Sequence, residues 1–197
     1  MTRPNPEFSK FYQALSNANA FTSWNGNVVR QTAPRWMARP YRFTGAGAVH
    51  SGGRWTVQRL MPSVYASTDP ITLNEELYYK GTRYGFTDAD FKAQLRAGMH
   101  WELQAVLDLT QPTILDLLGV SHTQIVSCNW EDAQKSGIEP ITQAIARAAF
   151  EHLVEGLVVP SARRRNGVNV VYFPCHRRDG SLIQTLDEAN IPFVHGL

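Results

Sequence analysis

Between Phe8 and Thr68 the chain contains no aspartate or glutamate. Lys10, Arg30, Arg35, Arg39, Arg42, Arg54 and Arg59 give this stretch a local charge of +7, although the full 197 residues carry a net charge of only +2. Such a block either faces an anion or follows from sparse charge, since only 18% of residues are charged. Cysteine is equally scarce. Cys128 and Cys175 cannot build a disulfide framework, each reads as a small buried hydrophobe, and a reducing, cytoplasmic setting is expected. No run approaches 18 apolar residues, which excludes a helical membrane span by sequence, and MTRPNPEFSKFYQAL does not read as a secretory signal. The six histidines show no metal-ligand spacing. No dinucleotide-type glycine fingerprint, phosphate-binding loop or serine-hydrolase elbow is present.

What is present suits one folded domain. The hydrophobic fraction of 43% is too high for a disordered chain, and the length is sufficient for a core without metals or disulfides. Residues 6–16 read as a short amphipathic helix through Phe8, Phe11, Tyr12 and Leu15. Residues 17–40 have no stable period and read as an irregular arm, and 41–44 as a short strand before the glycine-rich GAGAVHSGGRW. SVYAS at 63–67 reads as a strand. Asp69-Pro70 then caps a helix that Gly81 should stop, and Asp88 a second that Gly98 should end. Residues 101–109 alternate like a strand, with Trp101, Leu103, Ala105, Leu107 and Leu109 on one face. Short helical turns and loops are expected over 110–139. The best helical pattern covers 140–155, and strands follow at 157–160, 168–173 and 181–186. The expected architecture is α+β, one domain with short mixed strands and flanking helices.

Four segments combine polar groups with immobilising neighbours. In Arg39-Pro40-Tyr41-Arg42-Phe43 an arginine beside aromatics is either an anion clamp or a stem lying on apolar surface. In Ser51-Gly52-Gly53-Arg54-Trp55 the glycines allow close backbone approach to a ligand, and Arg54 is either a guanidinium fork for an anion or a solvated turn residue. Tyr65 could stack on a flat heterocycle or serve the core, and of the neighbours Glu75 and Glu76, about 100° apart on a helix, only one should face a site. In Pro160-Ser161-Ala162-Arg163-Arg164-Arg165-Asn166-Gly167-Val168-Asn169, the Asn-Gly pair marks a turn between strands, and the arginine run reads as a solvated tip or a weak nucleic-acid signal.

Taken in order, Tyr41-Arg42, GGRW with Arg54, VYAS with Tyr65, Thr72 to Glu76, and PSARRRNGVNVVYF resemble the RES domain over roughly residues 39–175. The resemblance makes residues 1–38 an N-terminal helix and arm and 39–197 the catalytic domain. It implies an ADP-ribosyltransferase-like (diphtheria-toxin-like) fold and a bacterial toxin that degrades NAD. It carries the family's arginines to Arg42 and Arg54, its tyrosines to Tyr41 and Tyr65, its serine to Ser161 and its asparagine to Asn169. Its glutamate falls on Glu76, or on Glu75 if the register shifts by one. The chain departs from the family where Asn and Gly usually follow GGRW; here Thr56 and Val57 stand.

The chemistry implied is cleavage of the nicotinamide–ribose bond, most directly by phosphorolysis to nicotinamide and ADP-ribose 1″-phosphate. NAD is the substrate and inorganic phosphate the expected co-substrate, with no further cofactor and no metal required. In this reading Glu76 stabilises the developing oxocarbenium ion and Arg42 and Arg54 hold phosphates. Tyr41 and Tyr65 border the nicotinamide or ribose, and Ser161 and Asn169 add neutral hydrogen bonds. The implied partner is a cognate antitoxin, often a helix-turn-helix DNA-binding protein, within a complex in which the toxin can form homo-oligomers; direct nucleic-acid or membrane binding is not expected. Alternatives are an NAD hydrolase, a protein ADP-ribosyltransferase, and a basic nucleic-acid-binding module using Arg35, Arg39, Arg42 and Arg163 to Arg165.

Overall fold

The computed structural model describes residues 2–16, 18–39, 41–85 and 94–186. Its centre is a mixed sheet of six strands: β1 Thr22–Thr32, β2 Val64–Ser67, β3 Leu95–Asp108, β4 Gly156–Pro160, β5 Val168–Tyr172 and β6 Leu182–Thr185. The hydrogen-bonded order is β1-β2-β5-β4-β3-β6, and β1 also pairs with β3. That extra pairing closes β1, β2, β5, β4 and β3 into a ring, with β6 on the free edge of β3. Apolar residues from all five ring strands form one core, among them Val28, Val64, Met99, Trp101, Val158, Val170 and Tyr172.

A second core lies between the ring and the helices. Those helices are α1 Phe8–Leu15, α2 Pro34–Met37, α3 Ala46–Ser51, α4 Pro70–Tyr84, α5 Pro112–Leu118, α6 His122–Ser127, α7 Trp130–Lys135 and α8 Ile141–Glu151. Phe11 and Leu15 of α1 meet Ile145, Ala148 and Ala149 of α8 and the outward-facing Leu157, Val159 and Val171 of the strands. Strict alternation along β4 and β5 serves both cores: Val170 and Tyr172 face the ring interior, while Val171 and Phe173 face the helices. No helix among the described residues is long and apolar enough to cross a membrane.

Several elements differ from those expected from local sequence. The supposed irregular arm contains the eleven-residue β1, whose ladder with β3 overrides the poor strand propensity of its asparagines and glycine. Tyr41–Phe43 is a single 3-10 turn, not a strand. Gly81 does not stop α4, which continues to Tyr84 and ends at Gly85 in the left-handed region (φ +67°). Gly98 ends no helix; with Leu95 it lies in β3, opposite β1, while residues 88–93 of the expected helix lie outside the described residues. The strands are not uniformly short, since β3 runs for 14 residues. Cys128 is only half-buried and Cys175 is exposed, so neither is the buried hydrophobe expected.

The alternation expected for 101–109 also breaks. Met99, Trp101 and Leu103 face the ring interior with Val106, whereas Leu107 and Leu109 face the helices. The cause is a bulge: the register steps from Thr22↔Val106 to Trp24↔Leu103, so β3 carries one residue more than β1. Glu155, fully buried, accepts the N–H groups of Gln104 and Ala105 at this bulge through Oε2 (2.5 and 3.2 Å) and that of Arg178 through Oε1 (2.9 Å). One carboxylate thus satisfies three amides that the ladder leaves without partners. Glu155→Ala should cost about 1–3 kcal/mol, the penalty for leaving the buried Ala105 donor unsatisfied. Urea denaturation would measure this, and a loss below 1 kcal/mol would contradict it.

Candidate active site

The functional candidates gather around one cavity, contributed by the last residues of β1, by the end of β2, by the start of β5 and by α4 and the GGRW loop beside them. The cavity, of about 840 Å³, is lined by Arg30 and Thr32 of β1, Ser67 of β2, Glu76 of α4, Arg54 of the GGRW loop and Asn169 of β5, among others. Its volume is in the range that holds a nucleotide-sized ligand. Charged side chains in its lining are four cations (Arg30, Arg54, Lys135, Arg163) and two anions (Glu76, Glu131), a net positive surface.

Glu76 is delivered by α4. Asp69 caps the helix, accepting the N–H groups of Ile71 and Thr72 through Oδ1 (both 2.9 Å) and the Thr72 hydroxyl through Oδ2 (2.7 Å). From this fixed start, Thr72, Leu73, Glu76 and Leu77 follow at helical spacing on the inner side, while Ile71, Asn74, Glu75 and Tyr78 are exposed. The choice between neighbouring glutamates is therefore settled by helical phase: Glu76 lines the cavity and Glu75 faces solvent.

Two neutral donors hold the Glu76 carboxylate. Ser161 Oγ donates to Oε1 at 2.6 Å and Asn169 Nδ2 donates to the same oxygen at 3.1 Å. Ser161 is itself locked, because its hydroxyl oxygen accepts the N–H groups of Arg163 and Arg164 (both 3.1 Å). Its proton is free only for Glu76. The Asn169 amide is oriented by Ser67, whose hydroxyl donates to Oδ1 at 2.6 Å across the β2–β5 pair Ser67↔Asn169. Among the described residues no hydrogen bond reaches Oε2, so one carboxylate oxygen is held and the other remains for the cavity. Ser161 stands behind Glu76 and does not line the cavity itself.

The GGRW loop is held from below by a chain of hydroxyls. The Trp55 N–H donates to Tyr65 Oη at 2.9 Å. Thr56 Oγ1 gives its proton to Ser63 Oγ (2.9 Å), so the 2.8 Å contact between Tyr65 and Thr56 has Tyr65 as donor. Burial pushes the Tyr65 phenol up to about 12. Thr56, where the chain departs from the usual RES pattern, is the centre of this network. Gly53 is required here, because a Cβ would lie 2.8 Å from Tyr65 Oη. Tyr65 therefore presents its ring to the cavity while its hydroxyl supports the loop. Arg54, carried by that loop, donates from Nη1 to the Ile125 carbonyl of α6 at 2.9 Å. Its pKa is lowered, chiefly by burial and further by the charge of Arg163, with Cys128 and Glu76 opposing.

Tyr41 lines the cavity as expected, but Arg42 does not. Its guanidinium lies over the Phe43 ring, 5.2 Å from the centroid, because the 3-10 turn directs the two neighbouring side chains differently. The arginine that does reach the site is Arg30. It lies two residues beyond the ring-facing Val28 on β1 and donates to the Tyr65 carbonyl at 3.5 Å, and burial lowers its pKa to about 10. Reading 17–40 as an irregular arm passes over Arg30; the alternation Trp24, Val28, Arg30 is the signal that points to it. The arginine run is also not a free basic stripe. Arg164 pairs with Asp69 (2.5 Å) and donates to Thr72 Oγ1 (2.9 Å), and Arg163 lies over the Tyr79 ring at 3.2 Å, leaving Arg165 exposed.

Residues 27–193 match the RES domain. The chain belongs to the RES domain family. Its sequence is 28% identical over 148 residues to a Mycobacterium tuberculosis protein named NAD(+) phosphorylase MbcT, covering 69% of this chain and 72% of that one. The same figures hold for the protein of that name from Mycobacterium bovis. The structure resembles a chain of the M. tuberculosis MbcT–MbcA toxin–antitoxin complex, with a TM-score of 0.68 and 24% identity over 89% of this chain and 88% of that one, which extends the likeness to the whole α+β fold. The RES match begins at residue 27, so Arg30 and the second half of β1 fall within the matched region.

Tyr65→Phe removes the acceptor for the Trp55 N–H and should destabilise this RES domain by about 1–3 kcal/mol. Thermal or urea unfolding checks it, and stability equal to wild type would contradict the hydroxyl chain.

Proposed function

We propose that the protein is a toxin enzyme that breaks the nicotinamide–ribose bond of NAD by phosphorolysis, acts in the cytoplasm and is restrained by a cognate antitoxin. The observation that carries this reading is Glu76: a cavity-facing carboxylate with one oxygen held by Ser161 and Asn169, in a pocket whose other charged groups are mainly cationic. RES membership, the sequence likeness to proteins named NAD(+) phosphorylase and the fold shared with a chain of a toxin–antitoxin complex support it. Kinship with the ADP-ribosyltransferase architecture is part of the same proposal.

The departing nicotinamide ring is already cationic, so no proton need be supplied to it. What the reaction needs is a bent dinucleotide and a negative charge close to the ribose carbon as positive charge develops there. Glu76 provides that charge. Because Ser161 and Asn169 are themselves pinned, the carboxylate is placed before substrate arrives, and little reorganisation is needed in the transition state. Arg30, not Arg42, joins Arg54 as the guanidinium pair for the phosphates, and their forks suit oxyanions. Tyr41, Trp36 and the ring of Tyr65 provide flat apolar walls for the bases.

Incubating the protein with NAD, with and without phosphate, and separating the products by chromatography tests the reading. Glu76→Gln should lower NAD consumption by about 10²–10³-fold, while exposed Glu75→Gln stays within about twofold of wild type. ADP-ribose 1″-phosphate should appear only with phosphate. Free ADP-ribose independent of phosphate would identify a hydrolase, label on protein an ADP-ribosyltransferase, and intact NAD would overturn the proposal.

A further inference from the structure

The cavity has a neighbour. A smaller recess of about 180 Å³ shares Arg54, Tyr79, Trp130, Glu131 and Arg163 with it and extends towards Arg83 and Cys128. It is well below the volume that takes a nucleotide, and its walls hold three arginines against one carboxylate. Glu131 and Arg83 neutralise each other, with Arg83 Nε 2.9 Å from Oε2, and Arg83 is further engaged by Asp132 (3.2 Å) and by Tyr79 Oη (2.8 Å). The remaining charge is that of Arg54 and Arg163. Arg54 uses one N–H on the Ile125 carbonyl, and Arg163 lies flat on Tyr79. Among the described residues neither forms an ion pair with a carboxylate. The two are close enough for the charge of Arg163 to depress the Arg54 pKa. Two guanidinium groups that line one small recess, neither paired with a carboxylate, suit a bridging anion.

We propose that Arg54 and Arg163 form a subsite for a tetrahedral oxyanion, and that its occupant is the inorganic phosphate consumed in NAD cleavage. This assignment rests on the phosphorolytic reading above. In the step it serves, a phosphate oxygen forms a bond to the ribose C1″ as the C1″–N bond breaks. The bonding pair stays on the nicotinamide nitrogen and neutralises the ring, and the proton of hydrogen phosphate is released to solvent as the phosphate monoester ionises. Arg54 and Arg163 both stand at the wall common to the two spaces, which places phosphate beside the dinucleotide. Arg163 is separable from the fold: Arg164 anchors the same turn to Asp69 and Thr72, and Ser161 holds its backbone.

The test compares wild type with Arg163→Ala and, as a control on the same turn, exposed Arg165→Ala. Inorganic phosphate is titrated first without NAD, with binding followed by 31P line broadening. Wild type and Arg165→Ala should bind alike, and Arg163→Ala about tenfold more weakly, the loss expected for one charge-assisted contact. In turnover, Arg163→Ala should raise KM for phosphate about tenfold while KM for NAD changes less than twofold. A rise confined to KM for NAD would assign the recess to the dinucleotide's own pyrophosphate and overturn the acceptor role. Phosphate binding unaffected by Arg163→Ala would overturn the subsite. If wild type binds phosphate through Arg163 but leaves NAD intact, the oxyanion subsite stands while the phosphorylase reading and the acceptor role fall.

Discussion

The pairing of β1 with β3 is the constraint from which the rest of the arrangement follows. Ten register pairs join Thr22–Thr32 to the strand from Leu95 to Val106, and they convert an open mixed sheet into a ring. A ring has an inside, which here is filled mainly by apolar side chains. Closing it demands more curvature than regular pairing supplies, and the bulge in β3 provides it. The amides left over at that bulge fall to the carboxylate of Glu155. A buried charge whose partners are all backbone N–H groups ties ring closure to the start of β4, and through β4 to the turn that carries Ser161.

The same closure makes the site. Arg30 is the last inward-facing arginine of β1, and Asn169 is the first site residue of β5. Each reaches the cavity because its strand begins or ends there. Glu76 comes from outside the ring on α4, and it is joined to the ring at two levels. Asp69 and Arg164 tie the helix start to the β4–β5 turn, and Ser161 and Asn169 tie its carboxylate to the strands on either side of that turn. The backbone position and the chemical group are thus set by different contacts on the same supporting element. That redundancy suits a carboxylate that must remain fixed while ligand charge comes and goes.

The charge pattern follows the same geometry. Of the seven basic residues between Phe8 and Thr68, Arg30 and Arg54 line the cavity. Arg35 lies over Trp36 and Arg42 over Phe43, each packed against the ring of its neighbour. A stretch without carboxylates leaves these two site arginines without local competitors, so their charge is directed to whatever enters. A further cation of the cavity lining, Arg163, comes from a run that by local sequence reads as a solvated tip or a weak nucleic-acid signal. Its neighbours differ in fate only because the turn points Arg164 at a helix cap, Arg163 at a ring and Arg165 outward.

Features decided within a few residues of chain were legible without coordinates. Asp69-Pro70 opening α4, Pro140 before α8, the Asn-Gly turn, the alternating β5 and the ordered motifs around Arg54, Tyr65, Glu76, Ser161 and Asn169 all depend on side-chain identity and local propensity. What depended on pairing between distant segments was not legible. An asparagine- and glycine-bearing stretch became β1, Gly98 passed from an expected helix end into a long strand, and the face of β3 reversed at its bulge. For the same reason the resemblance pointed to arginines, a glutamate and a serine, but local sequence did not decide which arginines and which glutamate line the cavity. Helical phase relative to the packed ring brought in Glu76 over Glu75, and closure of β1 on β3 brought in Arg30 where Arg42 was expected. Propensity is a property of neighbours in the chain, whereas a binding cavity is made by residues that only the fold makes neighbours.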